Sequence, residues 1–155
     1  MFDHHLWATR SLVEYLEALP PERLDGTIPG TYGSILETLT HLVDADERYL
    51  QRLGEESPPP FEGRGVVSLE TVRSDLEDHA RRWAAYLDRL DAGTLHARIP
   101  GREDYPDTDP AEGLLLLQAI HHGNDHRTQI CSTLGALGQD PPDLDGWTYW
   151  AAGRA

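Results

Sequence analysis

Two histidines four positions apart, His122 and His126, offer the clearest chemistry in the sequence. On a helix such residues project from one face, a turn apart, so both imidazoles can reach a single metal ion. His121 and Asp125 share that spacing. Advancing about 100° per residue separates the two pairs. Leu116, Ala119, Ile130, Leu134 and Leu137 define the apolar stripe, His126 falls inside it, His122 lies on its margin, and His121 and Asp125 point to solvent. Two histidines rarely hold a metal tightly, so a third ligand must come from another helix. His41, in Leu39-Thr-His-Leu-Val43, is the candidate. Its own segment argues otherwise: the stripe of Leu36, Leu39, Val43 and Leu50 points away from it, and periodicity alone puts His41 at the surface. An isolated His-x-x-x-His is also the pattern of two hydrogen-bonded imidazoles at a bundle margin.

Other signatures are missing. Gly123 follows His122, so the His-Glu-x-x-His zinc protease motif with its built-in base is absent. No Glu stands three residues before any histidine, which removes the paired Glu-x-x-His elements of di-iron bundles. Cys131, the single cysteine, falls on the apolar side of its helix, where a packed, inert thiol is expected. His4, His5, His79 and His96 read as surface or partly buried, and Trp7 as core.

The rest of the composition narrows the field. The chain has 155 residues, 27 acidic and 13 basic, for a formal charge of −14. All the basic residues are arginine. Lysine chemistry, such as a Schiff base or a P-loop, is excluded. The acidic surface repels phosphate backbones and anionic lipid, so no nucleic acid or membrane partner is expected. No apolar run approaches 18 residues and the chain opens Met-Phe-Asp-His-His, from which a soluble, cytoplasmic protein is expected. At this length a single domain over 1–155 is expected.

These side chains need elements to position them. Pro and Gly divide the chain into four helical segments: about Phe2 to Leu19, Ser34 to Leu53, the stretch from Ser68 to Gly93, and about Ala111 to Leu137. Ser34 and Glu37 make the Ser-x-x-Glu pattern that caps a helix start. Ser57-Pro-Pro-Pro60 marks 54–67 as a linker, and a polar connection between Gly93 and Pro110 has room for a short strand from Leu95 to Ile99. The fold expected is an all-α four-helix bundle, with these two long connections able to cross it.

Three segments resemble those of the DinB/YfiT-like superfamily of metal-binding four-helix bundles. They are Trp7-Ala-Thr-Arg10, Leu39-Thr-His-Leu42 and His122-Gly-Asn-Asp-His-Arg-Thr-Gln129, in order from residue 7 to 129. The resemblance implies His41, His122 and His126 as a ligand triad for one divalent metal, Zn or Ni first, with Fe or Mn as alternatives. It thereby reverses the surface reading of His41. Asp125 stands where many relatives carry another histidine, on the outward face. The resemblance also implies a homodimer, and a metal-dependent transferase that uses a low-molecular-weight thiol such as bacillithiol or mycothiol against an electrophile, in detoxification or stress response. A metal-dependent hydrolase and a non-catalytic metal-binding or ligand-binding protein are the alternatives.

Three neutral imidazoles leave the metal charge uncompensated and a coordination position open, where a bound thiol or water loses its proton near neutral pH. Gln129 lies on the His122 side of its helix, within hydrogen-bond reach of a ligand or water. Arg127 suits a substrate carboxylate or a Glu on a neighbouring helix, and equally a surface ion pair. Asp44 and Glu47 follow His41, Asp44 nearer its face, with a solvated carboxylate as the default for both. No residue is assigned as catalytic from sequence.

Overall fold

The helices expected from the sequence form with small shifts at their ends. They are α1 (Phe2–Glu17), α2 (Ile35–Arg52), α3 (Leu69–Leu87), α4 (Glu112–Ala136) and a short α5 (Gly146–Ala151) that periodicity does not flag. The computed structural model describes residues 1–54, 64–99 and 110–153. Local chemistry sets the boundaries. Glu37 donates its backbone N–H to Ser34 Oγ at 3.2 Å, and Glu37 Oε2 accepts from the Ser34 N–H at 2.7 Å, completing the capping box of α2. Ser68 and Asp145 cap α3 and α5 by accepting from the N–H of Thr71 and Thr148. At the end of α4, Gly138 takes φ 75°, Gly138 N–H reaches Gly135 O, and Gln139 N–H reaches Leu134 O, the Schellman pattern that a glycine there makes available.

Packing defines the topology. α1 meets α3 and α4, and α2 also meets α3 and α4. Helices adjacent in sequence, α1 and α2, therefore stand at opposite corners of the bundle, as do α3 and α4. The segment 18–34, with a 3-10 turn at Pro21–Asp25 whose Leu24 is buried, makes the first diagonal crossing. It is a connection that sequence reading did not count among the long ones. The 93–110 connection makes the second diagonal, whereas 54–67 joins neighbours; their middles, 55–63 and 100–109, lie outside the described residues. No strand from Leu95 to Ile99 forms. Thr94–His96 is a 3-10 turn, and among the described residues one antiparallel bridge pairs Arg98 with Ala111, with α4 beginning at the next residue.

Two apolar clusters fill the bundle. One joins Leu12, Val13 and Leu16 of α1 to Leu39, Leu42 and Val43 of α2, Leu76 of α3 and Ile130 and Leu134 of α4. The other surrounds the buried Trp83 with Phe2, Leu50, Tyr86, Leu116 and Ala119. Each fully buried leucine contributes about 1.5–3 kcal/mol, which is what fixes the helices that carry the site. Among the described residues, no helix is long and apolar enough to cross a membrane.

Candidate metal centre

At the seam between α2 and α4, three imidazoles turn their Nε2 atoms toward one point. His122 Nε2 lies 3.1 Å from His41 Nε2 and 3.1 Å from His126 Nε2, and one nitrogen of each ring falls within 4.8 Å of the others. His126 is buried and the other two are half-buried. Tyr32, from the connection before α2, stacks on His41 with centroids 4.0 Å apart and planes at 16°. Tyr49 meets His122 edge-on at 6.1 Å. A cleft of about 450 Å³ opens beside His41, lined by Tyr32, Glu37, Thr40, Asp44, Arg48 and Arg64 among others.

Burial first, then the other rings and Arg48, push His41 and His122 down to about 4, and burial lowers His126 against opposition from Gln129 and Asp125. All three are neutral at pH 7, the form that ligates metal. The donor set also fits an ion better than it fits itself. His122 Nε2 faces two other Nε2 atoms, and a single ring nitrogen is either donor or acceptor, so no assignment of tautomers makes both contacts good hydrogen bonds. One cation satisfies all three lone pairs at once. Nitrogens about 2.0–2.1 Å from a tetrahedral ion stand roughly 3.3 Å apart, close to the separations present here. These three histidines could hold a metal ion.

Comparison with known proteins agrees with the fold. The DinB family model matches residues 1–154. The chain belongs to the DinB family. A DinB-like protein from Bacillus cereus ATCC 10987 is similar in structure, with a TM-score of 0.67 at 19% identity over 88% of this chain and 90% of that one. None of the curated proteins matches the chain.

The remaining candidates of this DinB-family bundle separate by position. Gln129 Oε1 accepts the backbone N–H of Tyr32 at 2.8 Å, so it anchors the aromatic beside the site. Asp44 lines the cleft but is buried and accepts from Arg64 Nε at 3.1 Å; burial pushes its carboxyl up. It is not the solvated carboxylate expected. Glu47 is likewise withdrawn from solvent, accepting from His79 Nε2 at 3.0 Å and from Arg82 Nη1 at 2.5 Å, and so ties α2 to α3. His121 and Asp125 are exposed, as their helical phase requires.

Arg127 is the largest departure. It is neither a surface ion pair nor a lining residue of the cleft beside His41 but is buried between α4 and α1, donating to Thr9 Oγ1 at 2.8 Å and Asn124 Oδ1 at 2.6 Å. Burial lowers its guanidinium to about 10. It also approaches His5 Nδ1 at 3.3 Å, while His5 Nε2 meets Asp46 at 2.9 Å. His5 and His79, read as surface or partly buried, are thus both fully enclosed, each because a carboxylate on α2 receives it. Cys131 is free and half-buried, its thiol pushed up by burial, which suits the inert role expected. Trp7 is half-buried against Tyr149 of α5 at 5.2 Å rather than in the core. Sequence reasoning missed Tyr32, whose signal was confined to an aromatic set among glycines and threonines.

Proposed function

We propose that this protein holds one divalent metal on His41, His122 and His126 and catalyses transfer of a small-molecule thiol to an electrophile, as a detoxification enzyme. The convergence of three neutral imidazoles beside an open cleft carries this reading. A divalent ion held there lowers the pKa of a thiol that binds it, so the thiolate is available near neutral pH. The three rings hold that charge without adding any of their own. Tyr32 walls one side of the centre, and the cleft leaves another side open to a small molecule. Arg48 places positive charge close enough to act on His41 and His122, favouring an anionic thiol in an otherwise acidic protein.

Transfer is placed before hydrolysis because the family resemblance implies it and because the positive charge of Arg48 favours an anionic thiol; a bound metal would lower the pKa of water as well. Among the described carboxylates, Glu37 is engaged in the α2 cap, Asp44 with Arg64 and Asp46 with His5, while Asp125 is exposed and acts on His126. The cosubstrate brings its own thiol, so Cys131 is not required. Zn and Ni are the metals proposed first, since imidazole ligands suit both. A homodimer belongs to the same proposal; Trp147 and Trp150 expose large apolar surface on α5, and light scattering tests it.

The test is turnover of a panel of thiols with electrophiles by metal-loaded protein purified without nickel resin. A rate that requires thiol and metal and falls to background in His126→Ala supports the transferase. Turnover without thiol indicates a hydrolase, and metal binding without turnover a binding protein.

A further inference from the structure

We propose that Tyr32 is a positioning residue of the metal centre, clasping His41 into register with the two ligands on α4. The inference rests on the metal reading above. His41 is the sole ligand that α2 contributes, and it is only half-buried. Imidazoles in metal sites are usually oriented through their second nitrogen, which donates to a carboxylate or carbonyl. Here the Nδ1 atoms of His122 and His126 are buried with no hydrogen-bond partner among the described residues. Polar contacts among the described residues therefore do not orient these two rings through Nδ1, and the ring contacts of Tyr32 with His41 and His126 are packing that remains beside them.

Tyr32 is built for that packing. Its ring lies flat on His41, with centroids 4.0 Å apart and planes at 16°, and presents nearly perpendicular to His126 at 5.6 Å and 85°. It touches a ligand from each helix. Its backbone N–H donates to Oε1 of Gln129, which follows His126 by three residues on α4. The turn that carries it is organised by hydroxyls: Thr31 Oγ1 donates to Ile28 O at 2.9 Å and to Gly33 O at 3.2 Å, and Thr27 Oγ1 to Gly33 O at 3.3 Å. Tyr32 remains 57% exposed, so it serves no core. A large ring left this wet, yet fixed at both ends of its residue, is explained by what it stacks on.

The test compares Tyr32→Ala and Tyr32→Phe by cobalt(II) titration against a competing chelator, with His41→Ala as reference. In the metal-free protein, NMR follows the upfield ring-current shift that Tyr32 imposes on the His41 ring protons. Partners that orient ligands typically contribute 10–100-fold in metal affinity. Tyr32→Ala is expected to bind cobalt about 10-fold more weakly and to lose the ring-current shift, while Tyr32→Phe stays within about 2-fold, with the metal-free melting midpoint unchanged in both. Wild-type affinity in Tyr32→Ala, with binding lost in His41→Ala, overturns the clasp and leaves the metal site standing. A Tyr32→Phe variant as weak as Tyr32→Ala also overturns it, since stacking needs the ring and not the hydroxyl. Failure of the wild type to bind cobalt overturns both readings.

Discussion

His5 and Asp46 meet across the diagonal of the bundle, the imidazole Nε2 donating to the carboxylate at 2.9 Å with each side chain 1% exposed. Arg127 approaches the other ring nitrogen at 3.3 Å. Arginine has only donors, so Nδ1 accepts and Nε2 carries the proton that Asp46 receives. The chain of contacts joins α1, α2 and α4 through buried polar groups, and it passes Gly123, the neighbour of His122. The network thus fixes the stretch of α4 that presents His122 and His126.

Removing the carboxylate should therefore be costly. Deleting one partner of a buried pair of charges typically destabilises by about 3–5 kcal/mol, and the charge left uncompensated here is the buried Arg127 guanidinium, on which Asp46 acts. Asp46→Ala is expected to approach that range in urea denaturation, with Arg127 and His5 stranded. Asp46→Asn keeps an acceptor for His5 and should lose less. Equal, small losses in both would mean that the diagonal contact is dispensable.

Gly123 has a steric role that Gly135, further along α4, lacks. A Cβ at Gly123 would stand 2.7 Å from His5 Nδ1 and 3.0 Å from Arg127 Nη1, whereas one at Gly135 meets nothing within 4 Å. Gly123→Ala is expected to destabilise by about 1–3 kcal/mol through overpacking against groups that cannot retreat. Gly135→Ala should stabilise by about 0.5–1 kcal/mol, the ordinary gain of alanine in a helix. Thermal melts of the two single variants moving in opposite directions would establish the difference.

Glu47 gives a contrast with the metal site. It was a candidate helper because it follows His41, yet it faces α3 and receives His79 and Arg82. Glu47→Ala is expected to lower stability by about 1–3 kcal/mol, the cost of buried donors left unpaired, while cobalt affinity stays at the wild-type value. A drop in affinity with unchanged stability would return Glu47 to the site.

These cases show which parts of the molecule can be seen in sequence. The helices were legible because Ser34, Ser68, Gly138 and the apolar stripes are local signals. His126 was legible because α4 has a definable stripe. His41 was not, since α2 packs on both α3 and α4 and buries positions around most of its circumference, including Thr38, Thr40, Asp44 and Asp46. Resemblance to the family, not periodicity, recovered it. His5 and His79 were misplaced because each is buried by a carboxylate distant in sequence, 41 residues away for Asp46 and 32 for Glu47. Tyr32 lies in a connection with no period to read, and its role depends on a hydrogen bond spanning 97 residues.

The same burial that depresses the histidines sets how the protein responds to acid. Burial holds His41 and His122 down to about 4 in the folded protein, against the ordinary imidazole value of about 6.5 when unfolded. Between those values the unfolded chain binds more protons, so these groups destabilise the metal-free protein as pH falls from 6.5 toward 4, and add no further slope below. The metal-free melting midpoint should decline through that window, and more steeply than in a His41→Ala, His122→Ala double variant. Protons also compete with metal for Nε2 only where the rings titrate. All three rings are lowered, so cobalt binding is expected to weaken at a lower pH than it would at a site of ordinary histidines with pKa near 6.5. An affinity that halves near pH 6.5 would contradict the depressed values and with them the enclosed, desolvated character of the centre.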